Sequence, residues 1–298
     1  MKILFISLGC DKNLADSEEM LGLLTGSGHE IVDSEEEADA IVINTCCFIH
    51  DAKEESVNTI LEMAEYKKTG SCKALIVTGC MAQRYKEEIT QEIPEVDAIL
   101  GTTSYGDIVK ALNEAQAGNV FQEFRDINEL PEDSGRRVLT TGGHFGYLKI
   151  AEGCDKHCTY CIIPSLRGRF RSVPEERLLA QAEYMASQGV KELILVAQET
   201  TVYGTDLYGK KTLHILLKKL CQIKGIRWIR VLYCYPEEIY DELVQVMKEE
   251  KKICNYLDLP IQHASDRILK RMGRRTTRKQ LEDIIAKLRR EIPDIVLR

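Results

Sequence analysis

Short apolar runs alternate with amphipathic stretches along the first 116 residues. Residues 2–7 (KILFIS), 40–44 (AIVIN) and 74–78 (ALIVT) are almost continuously apolar. Such runs mark strands covered on both faces of a parallel sheet. Residues 97–100 (DAIL) predict a fourth strand, and Ile31-Val32 a short edge strand. Helical spacing of apolar positions recurs at 15–24, 51–66, 82–93 and 106–117. This strand–helix alternation predicts an open parallel α/β sheet. Residues 120–146 follow neither period and contain Pro131, Gly135, Arg136-Arg137 and Gly142-Gly143, so they read as a linker. Alternation resumes with strands predicted at 147–151, 192–197, 227–233, 256–261 and 295–297, and helices at 174–187, 213–221, 236–249 and 277–290. Five parallel strands joined through helices predict a partial (βα) barrel, incomplete at the C-terminus. The expected organisation is an N-terminal α/β domain at 1–119, a linker at 120–145 and a barrel domain at 146–298.

Composition changes this picture in one respect. With 298 residues, 44% hydrophobic and 29% charged, the chain has the make-up of an ordinary globular protein of about two domains. A net charge of −7 argues against a surface coated in cations for non-specific nucleic-acid binding. The N-terminal apolar stretch is too short for a secretion signal, and no apolar run is long enough to span a membrane. The expectation is a cytoplasmic protein with no membrane partner. Eleven cysteines then stand out, because reduced and clustered cysteines in that compartment favour metal or catalysis over disulfides.

Cys10, Cys46 and Cys80 each fall just past the end of a predicted strand, about one βαβ unit apart. Parallel strands share one C-terminal edge, where such sheets bind ligands, so the three thiols converge. Three unrelated small core residues would be the plain alternative; zinc or an iron–sulfur cluster would be the metal ones. Cys154, Cys158 and Cys161 form Cys-x3-Cys-x2-Cys in GCDKHCTYC, directly after the first barrel strand. Three thiolates in one tight loop can hold three irons of a four-iron cluster and leave the fourth open; a zinc site completed by His157 is the competing arrangement. Cys47, Cys72, Cys221, Cys234 and Cys254 fit no such pattern and read as packing. Cys47 adjoins Cys46 and could substitute for it.

The segment GCDKHCTYCIIPSLRG resembles the cluster loop of the radical S-adenosylmethionine (SAM) enzymes. Together with SLGCDKNLADSE, NTCCFI and TGCMAQRY upstream, the chain resembles the methylthiotransferase family along essentially its whole length. LGCDKNLADSE, FIHDAKEES, AQET and DLPIQHAS are similar to the branch that modifies an aspartate of ribosomal protein S-twelve. The branch acting on a tRNA adenosine usually carries GCQMN and QSGS at the corresponding places, and is the alternative reading. A fragment that only binds clusters is another.

By motif, the resemblance implies that Cys10, Cys46 and Cys80 ligate an auxiliary [4Fe-4S] cluster, and that Cys154, Cys158 and Cys161 ligate the cluster that binds SAM. The family motif NTC favours Cys46 over Cys47. The implied chemistry is reductive cleavage of SAM to a 5′-deoxyadenosyl radical, hydrogen abstraction from the aspartate β-carbon, sulfur transfer and methylation by a second SAM. Tyr160 matches the aromatic position beside the SAM adenine. Gln198 and Gln262 follow barrel strands and are implied SAM or substrate contacts. Implied partners are ribosomal protein S-twelve, neighbouring rRNA, an electron donor such as flavodoxin or ferredoxin, and an unidentified sulfur donor. Arg167, Arg169 and Arg171, and the run Arg267, Lys270, Arg271, Arg274, Arg275, Arg278 and Lys279, read as local basic patches for an anionic partner such as rRNA or for the SAM carboxylate, with a solvated helix face as the alternative for most of the second run. The family's closing barrel strand and small β-barrel (TRAM-type) domain are expected to be absent here. Val173 and Glu199 stand where relatives often have Arg and Asp.

Overall fold

A computed structural model describes every residue except Asp133, Ser134 and Arg136; the first arginine of the predicted Arg136-Arg137 pair therefore lies outside the described residues. The chain forms two compact units, Met1–Val138 with Ser165–Arg167, and Leu139–Pro164 with Gly168–Arg298.

The first unit is built on six parallel strands: β1 (Lys2–Ser7), β2 (Glu30–Val32), β3 (Ala40–Thr45), β4 (Ala74–Gly79), β5 (Ala98–Leu100) and β6 (Phe121–Glu123), in the order β2-β1-β3-β4-β5-β6. The central strands β3 and β4 are buried along their whole length, as their unbroken apolar sequences require. On one face Ile3, Val42, Ile76 and Leu100 pack with Met20 and Leu24 of the helix Asp11–Gly26 and with Ile108 and Leu112 of the helix Ile108–Gln116. The chain leaves β1 toward β2 on one side and then crosses to β3 on the other. That reversal opens a crevice at the C-terminal ends of β1 and β3, the place where such sheets bind ligands.

Two features of this unit differ from the sequence expectation. β6 lies inside the stretch read as a linker; it is a three-residue edge strand held to β5 by backbone bonds, too short to carry a period. The helix expected at 82–93 is instead two, Cys80–Arg84 and Lys86–Glu92, divided at Tyr85. The first begins on Cys80 itself, straight off β4, and no glycine or proline announces the break.

In the second unit, β7 (Phe145–Lys149), β10 (Glu192–Val196), β11 (Trp228–Val231), β12 (Ile253–Leu257) and β13 (Val296–Leu297) form one parallel sheet, and β8 (Ala151–Glu152) pairs antiparallel with β9 (Arg171–Ser172). The helices Glu175–Ser187, Leu213–Cys221, Asp241–Glu249 and Arg278–Glu291 connect the parallel strands. Leu148, Leu193, Leu195, Ile229, Val231 and Leu257 are buried on one face of the sheet. Tyr147, Ile194, Trp228 and Arg230 point to the other, more open face. This is the in–out alternation of a barrel wall with helices on its outside. β12 starts three residues earlier than expected, at Ile253, and its pairing with β11 carries a register shift between Ile229 and Val231. The β8–β9 ribbon was not anticipated; at two residues per strand it gives no sequence period.

Candidate functional site

Three cysteines of the first unit stand on neighbouring strand ends. Cys10 is the N-cap of the helix Asp11–Gly26, Cys46 directly follows β3, and Cys80 is the first residue after β4. Gly9 and Gly79 precede two of them with φ of +92° and +94°. A Cβ on Gly9 would lie 2.7 Å from Cys46 Cβ and 2.9 Å from its Sγ, and one on Gly79 would lie 2.5 Å from the Thr45 carbonyl. Only glycine allows these turns and this approach.

Asn13 ties the same loops together. Its amide donates to the Leu8 carbonyl at 3.0 Å and the Thr45 carbonyl at 2.9 Å, and the Cys80 thiol lies 4.0 Å from its Oδ1. Arg167 donates to that Oδ1 at 2.6 Å and to Asp16 Oδ2 at 2.7 Å. It is buried, so the expectation that it belongs to a basic surface patch is corrected: its charge faces the cysteine loops. The rest of the DSEE segment is buried too. Ser17 Oγ lies 2.7 Å from Ser7 Oγ and accepts from the Asn44 amide at 2.9 Å. Glu18 pairs with Arg137 at 2.6 Å, and Glu19 accepts from the Tyr105 hydroxyl at 3.0 Å.

Burial pushes the Cys80 thiol up; the Arg167 guanidinium opposes this, and the charges of Cys10 and Cys46 add to it. Cys46 is raised by burial in the same way, with Cys10 adding and Arg167 opposing. Cys47 is pushed up to about 12 by burial, and its thiol donates to the Cys80 carbonyl at 3.3 Å.

In the second unit the Cys154 loop is pinned between β8 and β9. Gly153 has φ +73°, and its Cβ would lie 2.5 Å from the Gly168 carbonyl. Cys154 N–H donates to that same carbonyl at 3.1 Å, Thr159 N–H to the Met272 carbonyl at 3.0 Å, and Phe170 N–H to Asp155 Oδ1 at 3.0 Å. Burial raises the Cys154 thiol to about 11, the Lys156 N–H opposing and the charges of Glu199, Cys161 and Cys158 adding.

Cys154 and Cys158 open onto a cavity of about 630 Å³ whose wall also holds Lys156, Glu199, Tyr235 and Arg274. Arg274 stacks on the Tyr235 ring at 4.1 Å and donates to the Pro260 carbonyl at 3.1 Å, while its buried Nε and Nη1 have no hydrogen-bond partner among the described residues. The Tyr235 hydroxyl lies 3.8 Å from Cys158 Sγ. Glu199 accepts from Thr201 N–H at 3.0 Å through Oε1, and its buried Oε2 has no such partner. Burial raises its carboxyl to about 7, with Thr201 and Lys156 opposing. Lys156 and Lys211 both pair with Glu238.

Of the other sequence-derived positions, His157 and Arg275 line the same cavity, whereas Tyr160, Gln198 and Gln262 do not. Tyr160 is half-exposed beside Cys158. Gln198 is half-buried with an unpartnered buried Oε1, and Gln262 is exposed with φ +65°. Sequence reasoning missed Lys156, Tyr235 and the bracing role of Asn13; it named Arg274 only as one member of a basic run, and Glu199 only as a departure from relatives. Arg274 was hidden in a basic run whose other members are exposed. Asn13 had a signal, since it sits three residues past Cys10 inside the first helical turn.

Every one of the eleven cysteines is a free thiol. No three His, Cys, Asp or Glu side chains among the described residues converge closely enough to share one ion. An iron–sulfur cube spreads its thiolates around its own width, so its fit is judged by donor chemistry and grouping. In the first triplet, Cys80 lies within reach of the charges of Cys10 and Cys46; in the second, Cys154 lies within reach of those of Cys158 and Cys161. All-thiol triplets suit iron–sulfur clusters. Arg274 also pairs with Glu237 at 3.4 Å, but its Nε and Nη1 and the Glu199 Oε2, buried on one cavity wall without hydrogen-bond partners among the described residues, suit a zwitterionic ligand such as SAM.

Residues 148–298 match the Radical SAM superfamily, and residues 2–101 match the uncharacterized protein family UPF0004. The two units thus pair a radical SAM domain with a second domain of recurrent type. Among curated proteins, the "Ribosomal protein uS12 methylthiotransferase RimO" of Lachnoclostridium phytofermentans is 67% identical over all 298 residues, which span 68% of its length. The protein of the same name from Clostridium botulinum (strain Eklund 17B) is 53% identical, with the whole chain matching 67% of its length. The chain belongs to this uS12 methylthiotransferase family. Among solved structures, the cobalamin-dependent SAM radical enzyme OxsB shares the fold with a TM-score of 0.65 at 16% identity, over 100% of this chain and 48% of that one. The radical SAM methyltransferase TsrM of Kitasatospora setae does so with 0.67 at 12% identity, over 99% of this chain and 65% of that one.

Proposed function

We propose that this chain is a radical SAM methylthiotransferase that adds a methylthio group to the β-carbon of an aspartate of ribosomal protein uS12. The observation that carries the reading is 67% identity to a uS12 methylthiotransferase over the entire chain. Free thiol triplets in both units support it. Cys10, Cys46 and Cys80 would hold one [4Fe-4S] cluster, and Cys154, Cys158 and Cys161 the other. Bound cluster and SAM together supply one-electron chemistry able to take hydrogen from an unactivated carbon, which no acid–base side chain can do.

The chain's own residues bind and shield. The Glu199 carboxyl and the Arg274 guanidinium offer an acceptor and a cation to the two ends of an amino-acid moiety, and Tyr235 holds Arg274 flat against the cavity wall. Lys156 and Lys211, both tied to Glu238, line its rim. Tyr160, Gln198 and Gln262 remain proposed SAM or substrate contacts, all outside that wall. Arg267, Lys270, Arg271 and Arg275 are exposed and suit rRNA phosphates beside uS12. A small acidic protein such as flavodoxin or ferredoxin would deliver electrons. Eleven free thiols fit the reducing cytoplasm, and no described helix is long and apolar enough to cross a membrane.

The test is expression of the chain in a bacterium lacking both its own uS12 methylthiotransferase and its tRNA methylthiotransferase, followed by mass spectrometry of uS12 and of bulk tRNA. Methylthiolated uS12 is the expected product. A restored methylthio group on tRNA with unmodified uS12 would overturn the choice of substrate.

A further inference from the structure

The loops bearing Cys10, Cys46 and Cys80 share one brace and face one cation. Asn13 holds the carbonyls of Leu8 and Thr45 with its amide, so it fixes the backbone just before Cys10 and Cys46. Its Oδ1 accepts from Arg167 at 2.6 Å and lies 4.0 Å from the Cys80 thiol. Arg167 is only 3% exposed and spans from Asn13 to Asp16 Oδ2 at 2.7 Å. A guanidinium does not lose its proton, so this charge is fixed, and its planar fork can hold two acceptors at once. Asp16 occupies one side of it. Asn13 Oδ1, itself 4.0 Å from the Cys80 thiol, occupies the other.

We propose that Arg167 is a positioning residue of the three-cysteine site: through Asn13 it fixes the three thiol-bearing loops, and its charge favours the more anionic, one-electron-reduced form of the cluster that they hold. The inference rests on the cluster reading above and goes beyond it, because the six cysteines alone do not require a cation at this place.

The experiment uses the full chain with Cys154, Cys158 and Cys161 replaced by Ala, so that only the first unit's cluster is present. After anaerobic reconstitution, three quantities are measured: iron per chain, the rate of iron loss to a chelator, and the midpoint potential in a dithionite titration followed by electron paramagnetic resonance. The double substitution R167Q/D16N removes both buried charges without stranding either. It should move the potential to more negative values and speed iron loss several-fold. R167K keeps the charge but cannot bridge Asn13 and Asp16, so the potential should stay near that of the parent while iron loss still accelerates. A potential unchanged in R167Q/D16N overturns the charge role, and parent-like iron retention in R167K overturns the bracing role. Should R167Q/D16N fail to fold, R167Q takes its place in the potential measurement, and R167K still decides the bracing role by its rate of iron loss. A parent that takes up no iron would sink the cluster reading and this inference with it. A parent that takes up iron, with both Arg167 variants behaving identically to it, would sink this inference alone.

Discussion

Glu199 is an acid held against its preference, and that has a measurable cost. Burial raises its carboxyl to about 7, whereas in the unfolded chain it titrates near the ordinary value of about 4.3. Between those two values the unfolded state has released a proton that the folded state keeps. Stability therefore falls as pH rises through that window, and the penalty is complete above it. Its ceiling is roughly 4 kcal/mol, from about 1.4 kcal/mol for each pKa unit. Glu199→Gln keeps an acceptor for Thr201 and removes the titration. In iron-free protein it should melt several degrees above wild type at pH 8, with the gap closing toward pH 5. Equal melting at both pH values would show that the carboxyl is not held in this way. Arg137 and Glu18 make the converse case, a buried pair at 2.6 Å. R137M breaks this pair and should lower the urea midpoint, while R137M/E18M, with both charges removed, should recover part of that loss; urea unfolding of both variants measures it.

At the level of elements, three of the six cysteine ligands proposed here follow a left-handed glycine at the end of a strand or ribbon: Gly9-Cys10, Gly79-Cys80 and Gly153-Cys154. The glycine turns the chain out of the strand, and the lack of a Cβ lets the neighbouring loop close over it. Gly153→Ala would meet the Gly168 and Arg169 carbonyls, both backbone. Gly118 has φ +78° with nothing within 4 Å of an added Cβ. G118A should therefore lose about 1 kcal/mol from conformation alone, and G153A about 3 kcal/mol or more, read as a lower urea midpoint. Similar losses in both would mean that the close approach at Gly153 contributes nothing.

The same scale explains what the sequence made legible. Continuous runs such as ALIVT announce buried parallel strands, because both faces must be apolar, and the thiols follow from where those runs end. β6 and the β8–β9 ribbon are too short to carry a period, and the helix break at Tyr85 has no glycine or proline to signal it. Arg167, Arg274 and Asn13 could not be placed from sequence at all. Whether an arginine in a basic stretch is solvated or buried depends on an acceptor far away along the chain: Asp16 for Arg167, the Pro260 carbonyl and the Tyr235 ring for Arg274.

On the scale of the molecule, the proposed function divides the labour between the two units, and the division can be tested by substitution. Each unit carries its own thiol triplet, and the cavity with unpartnered Glu199 and Arg274 atoms belongs to the second. If the second unit alone binds and cleaves SAM, replacing Cys10, Cys46 and Cys80 by Ala should leave 5′-deoxyadenosine production largely intact while abolishing methylthio transfer. Replacing Cys154, Cys158 and Cys161 should abolish both. Iron should fall from about eight to about four per chain in either case, as expected for two four-iron clusters. Measuring iron, 5′-deoxyadenosine and the mass of uS12 on the same three preparations discriminates sharply. A first-unit variant that still transfers the methylthio group would remove the auxiliary cluster from the reaction. A second-unit variant that still cleaves SAM would remove the Cys154 loop from it. Zinc in place of iron in the wild-type chain would leave two thiol sites on this fold with no one-electron chemistry to perform.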